Sequence, residues 1–425
     1  MPARFPELSS QGHLHIGMEH QQLNSVCDVT HRLLDYCAAN DWAGYDPYDA
    51  LNSRLFRALP FLDFKAFRLG LTQTLKRSPI NFRAILLVPK THNPKGMALF
   101  LSALVKFHRS GFASLETELR RVANRLLELR STDRGYSTWG YSFDWQTRTK
   151  LIPRGSPNII CTTFAANALL DAYQLTQEPG YAEAALSAAQ YVLGSLYKIV
   201  GEDAWFNYTP IEITQIHNAN LLGAALLSRC ARVLSQEQFF EPAFRAARFS
   251  TARQNADGSW YYGERTQPSQ KWIDNFHTGF NLCALRTIAD CGQTNEFDRS
   301  IGHGLTYFLD NFFESDGAPK YFHNKTYPID IHSAAQAIVT LTALSPFNDR
   351  CNFTANAVLK WTLENFWSGS YFYYQKHKYF TNRIPYIRWS QAWMLLALAS
   401  VVDSTKRLNQ ASDDAIALPI GSSLA

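Results

Sequence analysis

Apolar residues recur at steps of three and four along most of the chain. In "AANALLDAYQL", Ala165, Leu169, Ala172 and Tyr173 share one face, the period of an amphipathic helix. Five times an apolar helical stretch is followed by a link rich in aromatic residues and glycine, then by a second stretch rich in alanine and leucine. These are "GYSTWGYSFDW" before "IICTTFAANALLDAY", "EDAWFNYTP" before "IHNANLLGAALL", "DGSWYYGE" before "FHTGFNLCALRTI", "DGAPKYF" before "IHSAAQAIVTLTAL" and "GSYFYYQ" before "IRWSQAWMLLALA". Trp145, Trp205, Trp260, Tyr321 and Tyr371 mark matching places at steps of 60, 55, 61 and 50 residues. A weaker sixth copy, "NDWAGYDPYDALNSRL", lies near the start and is followed by a longer insertion over 83–96.

A helical hairpin cannot bury its apolar faces alone, so repeated hairpins must stack on one another. Six can close into a ring, with the first helix of each pair outside and the second inside; an open superhelix with a groove is the alternative. Small residues crowd the second helices, as packing around a central axis requires. The pattern therefore predicts an all-α chain, an (α/α)6 toroid over 26–405. It would follow an N-terminal extension, 1–25, and precede a loose tail, 406–425, that lacks aromatic residues. The links would gather at one rim and line a common funnel.

The polar residues that open each second helix would then share that funnel. They are Asn158 and Thr162; Gln215, His217 and Asn218; Asp274, Asn275 and His277; Asp330 and His332; and Arg388, Trp389 and Gln391. Helix capping alone accounts for any single one of them, at about 1 kcal/mol each. Five sets at one mouth point further, to a ligand with an apolar face and a rim of hydroxyls, which is what a pyranose offers. Candidate platforms for its rings are Trp139, Trp145, Trp205, Trp260, Tyr262, Trp272, Tyr373 and Trp389.

Hydrolysis of a glycosidic bond needs one carboxylic acid and one carboxylate. Asp274 and Asp144 are the leading candidates, with Glu264, Asp46 and Asp49 as further acids. Elimination or epimerisation at a uronic acid needs cations for the substrate carboxylate and a proton carrier beside it. Arg148, Lys150, Arg154, Lys271 and Arg388 would supply the charge; Tyr262, His217 and His277 are the carriers. His217, His277 and His332 recur on three consecutive second helices and would have to converge to hold zinc. No HxH or HExxH spacing supports that, and no metal or other cofactor is expected.

Composition removes other classes. The 425 residues are 46% hydrophobic, 18% charged and 14% aromatic, with a net charge of +5 and no long basic run, so a nucleic-acid partner is not expected. No stretch approaches the roughly 18 apolar residues of a membrane span, and the first residues lack a secretory core. Seven cysteines without a CxxC pair fit reduced core residues in the cytoplasm. Phosphate-loop, dinucleotide and serine-elbow motifs are absent.

The aromatic-linked hairpins resemble the (α/α)6-toroid proteins, which include six-hairpin glycosidases, polysaccharide lyases and uronate epimerases. "QNADGSW" also resembles the glutamine–tryptophan repeat of terpene cyclases, but their DxDD is missing: "PIDIHSAA" holds Asp330 alone. "PNIICTTFAANALLDAY", "IHNANLLGAALL" and "WIDNFHTGFNL" are similar to bacterial proteins encoded with exopolysaccharide genes and called polysaccharide biosynthesis proteins, a likeness covering about positions 30 to 400. The resemblance implies the toroid and a role in making or trimming surface glycans, and carries no catalytic residue with it. The sequence thus leads to a glycan-processing enzyme, with glycoside hydrolysis first. The alternatives are a lyase or C5-epimerase on a uronic-acid glycan and a non-catalytic glycan binder; protein partners are unspecified.

Overall fold

A computed structural model describes residues 20–131, 135–147, 150–264 and 270–417. Its main helices are α1 (His20–Ala39), α2 (Pro94–Arg109), α3 (Glu116–Glu128), α4 (Ile159–Thr176), α5 (Pro179–Tyr191) and α6 (His217–Val233). They continue with α7 (Phe240–Thr251), α8 (Asn275–Gly292), α9 (Asp298–Asn311), α10 (Ile331–Leu344), α11 (Arg350–Phe366) and α12 (Trp393–Ala417). The even-numbered helices form the inner layer. Each packs on the next, and α12 returns to pack on α2, so the ring is closed. Outside it α3 lies on α2, α5 on α4, α7 on α6, α9 on α8, α11 on α10, and α1 on α12. The fold is the expected (α/α)6 toroid. Helix α12 runs on to Ala417, through part of the stretch anticipated as a loose tail, and α1 begins at His20, inside the anticipated extension. Residues 1–19 and 418–425, and with them the rest of both segments, lie outside the described residues.

Inner helices are apolar nearly all round: in α4 Ala165, Ala168, Leu169 and Ala172 are fully buried. A helix with no solvent face suits an inner position, and small side chains let neighbours approach the axis. Outer helices keep a polar face, as in α3, where Leu119, Val122, Ala123 and Leu126 are buried and Glu116, Arg120 and Arg121 are not.

The links cross from outer to inner helices at one end, with three small antiparallel sheets among them. Their tryptophans have two fates. Trp139 donates its indole N–H to the Leu126 carbonyl (2.8 Å) and Trp260 donates to the Ser250 carbonyl (2.9 Å), each satisfying an acceptor in the last turn of an outer helix. Both rings are buried plugs between hairpins. Before Trp260, the turn residue Gly258 has φ +90°, and a Cβ there would stand 2.3 Å from the His303 carbonyl of α9; Gly317, at the equivalent turn one unit later, meets Ala357 of α11 in the same way. Only glycine allows both the conformation and the approach.

Candidate active site

The inner helices begin at the link end, and residues of their first turns, among them Lys95, Ile160, Asn218, His277 and His332, line a chamber of about 440 Å³, inside the roughly 300–1,000 Å³ usual for small-ligand sites. Asn93, Asn158, Asp274 and Asp330 cap α2, α4, α8 and α10 through backbone N–H groups at 2.9–3.1 Å. Four helix N-termini thus direct partial positive charge at one space.

Asp274 does more than cap. Its Oδ2 lies 2.7 Å from His277 Nδ1 and accepts the Trp272 indole N–H at 2.9 Å. A carboxylate can only accept, so Nδ1 carries the proton and Nε2 is left as the basic nitrogen. His277 lines the chamber, and among the described residues its ring makes no hydrogen bond except through Nδ1. Tyr262 stacks on Trp272, centroids 4.4 Å apart, and its ring lies 4.6 Å from that of His277. Burial holds the Tyr262 hydroxyl far above its ordinary range, so it stays protonated.

Opposite charge enters from the ends of the chain. Arg388 sits in a wide helical turn, Ile387–Ala392, immediately before α12; such π-turns recur at functional sites. Asp46, in the first link, holds its Nε and Nη2 at 2.6 and 2.8 Å, both partners buried, and Nη1 has no such contact among the described residues. Lys95, the second residue of α2, is 4% exposed. Its ammonium lies 4.5 Å from the Phe164 ring and 5.2 Å from those of Phe280 and Trp393, with no hydrogen bond or ion pair to the described residues. Burial, aided by Arg388, lowers its pKa to about 7. His332 is buried against Phe276, rings nearly parallel at 4.4 Å, and neither ring nitrogen has a hydrogen-bond partner among the described residues. Burial and the charges of Lys95, Arg388 and His277 keep it neutral.

Of the residues anticipated for the site, Trp145, Asn218, Tyr262, Trp272 and Asp274 line the chamber, as do His277, His332, Arg388 and Trp389. The others are elsewhere. Asp144 is bound to Arg57 at 3.0 Å and accepts the Arg154 backbone N–H, outside the chamber wall. Glu264 faces His217 Nε2 at 3.2 Å, while His217 Nδ1 meets Ser250 of α7 at 3.0 Å. This turns His217 away from His277 and His332, and no group of three or more His, Cys, Asp or Glu side chains among the described residues is placed to hold a metal ion. Trp205 packs on Phe249 and bonds to Asn207, and Trp260 is the plug described above. Asp330 stands behind Trp389, whose indole N–H it accepts at 2.8 Å together with the Gln375 amide at 2.7 Å. Complete burial outweighs these bonds and raises its pKa to about 6. Of the candidate cations, Lys150 is exposed and lies 3.7 Å from Glu212, Lys271 is exposed, and Arg148 falls outside the described residues.

Lys95 was not anticipated, nor were the aromatic lining residues Tyr48, Tyr141, Tyr208, Phe276 and Tyr321. Lys95 follows the cap in "NPKGMALFLSALV", a charge at the head of a helix with no polar face, and that mismatch was the available signal.

No protein-family model and no curated protein matches the sequence. Among solved structures, the chain is similar to cellobiose 2-epimerase from Bacillus thermoamylovorans B4167, with TM-score 0.60 and 11% identity over 88% of this chain and 99% of that one. It is also similar to the family 76 glycoside hydrolase (mannosidase) Bt3792 from Bacteroides thetaiotaomicron VPI-5482 (0.58, 12%, 92% and 100%). An unsaturated glucuronyl hydrolase specific for heparin is a third (0.59, 14%, 92% and 98%). At these identities the likeness shows the fold alone.

Proposed function

We propose that the chain is a carbohydrate-active enzyme of bacterial surface or exopolysaccharide metabolism, that its chamber takes a uronic-acid unit of a glycan, and that His277 moves the proton on the carbon beside the substrate carboxylate. One observation carries the reading. Lys95 and His332 are both more than nine-tenths buried and both line the chamber; among the described residues both His332 ring nitrogens are buried without a hydrogen-bond partner, and the Lys95 ammonium meets only aromatic rings. Buried polar groups without partners call for a ligand that supplies them, and beside Arg388 and four helix N-termini that ligand is anionic.

In this reading Arg388 Nη1 and Lys95 hold the substrate carboxylate. Neutralising it acidifies the adjacent C–H, whose proton His277 Nε2 accepts while Asp274 steadies the imidazolium that forms. The electron pair left on carbon then either expels the neighbouring glycosidic oxygen, which leaves as an alcohol with the proton His277 has just taken, giving an unsaturated uronate, or takes a proton from water on the opposite face, giving the epimer, with His277 returning its proton to the hydroxide left behind. The aromatic walls suit the apolar faces of a sugar; the three similar structures are all named for sugars, and one of them, the unsaturated glucuronyl hydrolase, for an acidic one. Hydrolysis by a carboxylate pair has less support. Asp274 is the carboxylate among the described lining residues, and both its oxygens are already hydrogen-bonded.

The test is incubation with uronic-acid glycans in D2O. Ultraviolet absorbance of the unsaturated product reports elimination, deuterium at the carbon beside the carboxylate reports epimerisation, and new reducing ends with neither report hydrolysis. The expected result is one of the first two, lost by about 10²–10⁴-fold in His277→Gln. Hydrolysis, or binding without turnover on any acidic glycan, would overturn the reading.

A further inference from the structure

We propose that the long segment of the first link, residues 54–90, seats the molecule on the surface of an anionic lipid bilayer. This segment carries short helices Arg54–Arg57 and Pro60–Leu62 and a longer one, Lys65–Arg77. It contains eight Lys or Arg residues against one acid, Asp63, an excess larger than the +5 of the whole chain. The cations are interleaved with large apolar residues, and those residues face solvent: Phe61, Ile80 and Ile85 are 61–73% exposed, and Phe64 and Leu87 about half.

The two legs of the segment are joined. The Arg54 backbone N–H donates to the Leu87 carbonyl at 3.2 Å and the Ser53 hydroxyl to the Leu86 carbonyl at 2.6 Å. The Phe56 ring stacks on Phe67, which in turn lies 6.0 Å from Phe64. On another side, Asn382 donates to the Ser78 carbonyl at 2.9 Å, which brings in the hairpin carrying the exposed Lys378 and Tyr379. Arg57, Arg68 and Arg83 are paired with Asp144, Asp63 and Asp49. Arg54, Lys65 and Arg77 are exposed and have no carboxylate partner among the described residues.

An apolar patch with unpaired cations matches the boundary between lipid phosphates and acyl chains, where the rings and aliphatic groups enter and the cations meet the phosphates. Ile80, Ile85 and Leu87 stand among the exposed rings of Phe61 and Phe64, an aliphatic share that suits acyl chains better than bases. Among the described residues no helix is long and apolar enough to cross a membrane, so this attachment is peripheral. The patch borders the chamber mouth: Lys76 Nζ lies 2.6 Å from the hydroxyl of Tyr48, and Arg68 donates to Gln146, next to Trp145.

The test is flotation of the full chain with vesicles of phosphatidylcholine alone or mixed with phosphatidylglycerol. Flotation with the mixed vesicles only, weakened by salt, is expected. It should fall at least about tenfold in Lys65→Glu/Arg77→Glu and in Phe61→Ser/Phe64→Ser/Ile85→Ser, with thermal unfolding unchanged because these side chains are on the surface. No flotation of the wild type overturns the proposal and leaves an acidic protein surface as the occupant to seek; flotation retained in both variants also overturns it. The readout needs no turnover, so it stands or falls apart from the uronate reading.

Discussion

Replacing Lys95 by methionine should make the protein more stable and less active. Lowering a lysine pKa from 10.5 to about 7 corresponds to about 5 kcal/mol of unfavourable burial at pH 7. The ammonium recovers part of this from Phe164, Phe280 and Trp393, about 2 kcal/mol for desolvated contacts of this kind. Removing the amine and keeping the stem should then stabilise the fold by about 3 kcal/mol at pH 7. The sign with pH follows from proton counts. Between pH 7 and 10 the unfolded chain keeps this proton and the folded chain does not, so wild-type stability rises with pH at up to about 1.4 kcal/mol per unit. The variant lacks that rise, and the gap should close toward pH 10. Among the neighbours, His332 is neutral throughout this range, and Asp46 and Arg388 stay paired. Denaturant unfolding of both proteins at pH 7, 8, 9 and 10 measures the gap, and kcat/KM on the acidic glycan should fall by on the order of 10²-fold. A variant less stable than wild type at pH 7, or a gap that does not narrow with pH, would refute the account of Lys95 as a strained amine kept for a ligand.

Asp46→Asn removes the charge opposite buried Arg388 and should cost about 3–5 kcal/mol in chemical denaturation, whereas Lys65→Glu, exposed and unpaired, should change stability by less than about 0.5 kcal/mol. Asp330, with its pKa raised to about 6, binds a proton more tightly folded than unfolded. It therefore subtracts stability as pH climbs from about 4 to 6, by about 3 kcal/mol. Asp330→Asn, subtracted from wild type so that Asp49 cancels, should remove that decline in a pH series of thermal unfolding. Trp260→Ala should destabilise by about 3–5 kcal/mol with little effect on KM, while Trp272→Ala should weaken glycan binding measured by calorimetry.

What was legible depended on whether a residue's fate is decided locally. Asp274 and His277 lie on one turn at a repeated position, so the repeat alone brought them to the rim, and the capping geometry follows from the same few residues. The tryptophans were harder: the repeat sets Trp145 against Trp260, whereas in the structure Trp139 is the counterpart of Trp260, each a plug bonded to the last turn of its outer helix, and Trp145 lines the chamber. Link length and the sheet pairing of Trp145 with Ile152 decide that, and neither is visible in composition. Asp144 and Glu264 are candidate acids in the sequence, and what removes them is contact with Arg57 and His217, 87 and 47 residues away, which no local pattern shows. Lys95 falls within the stretch that the repeat leaves as an insertion, over 83–96, and its only local signal is a charge at the head of an all-apolar helix.

The bond between Asp46 and Arg388 spans 342 residues and fastens the two ends of the ring. During synthesis one half of this clasp leaves the ribosome long before the other. Until Arg388 arrives, Asp46 lacks its bidentate partner and α2 has no neighbour on one side, so the chamber cannot take shape in a growing chain. Competence is acquired in a single late event, the shutting of the circle.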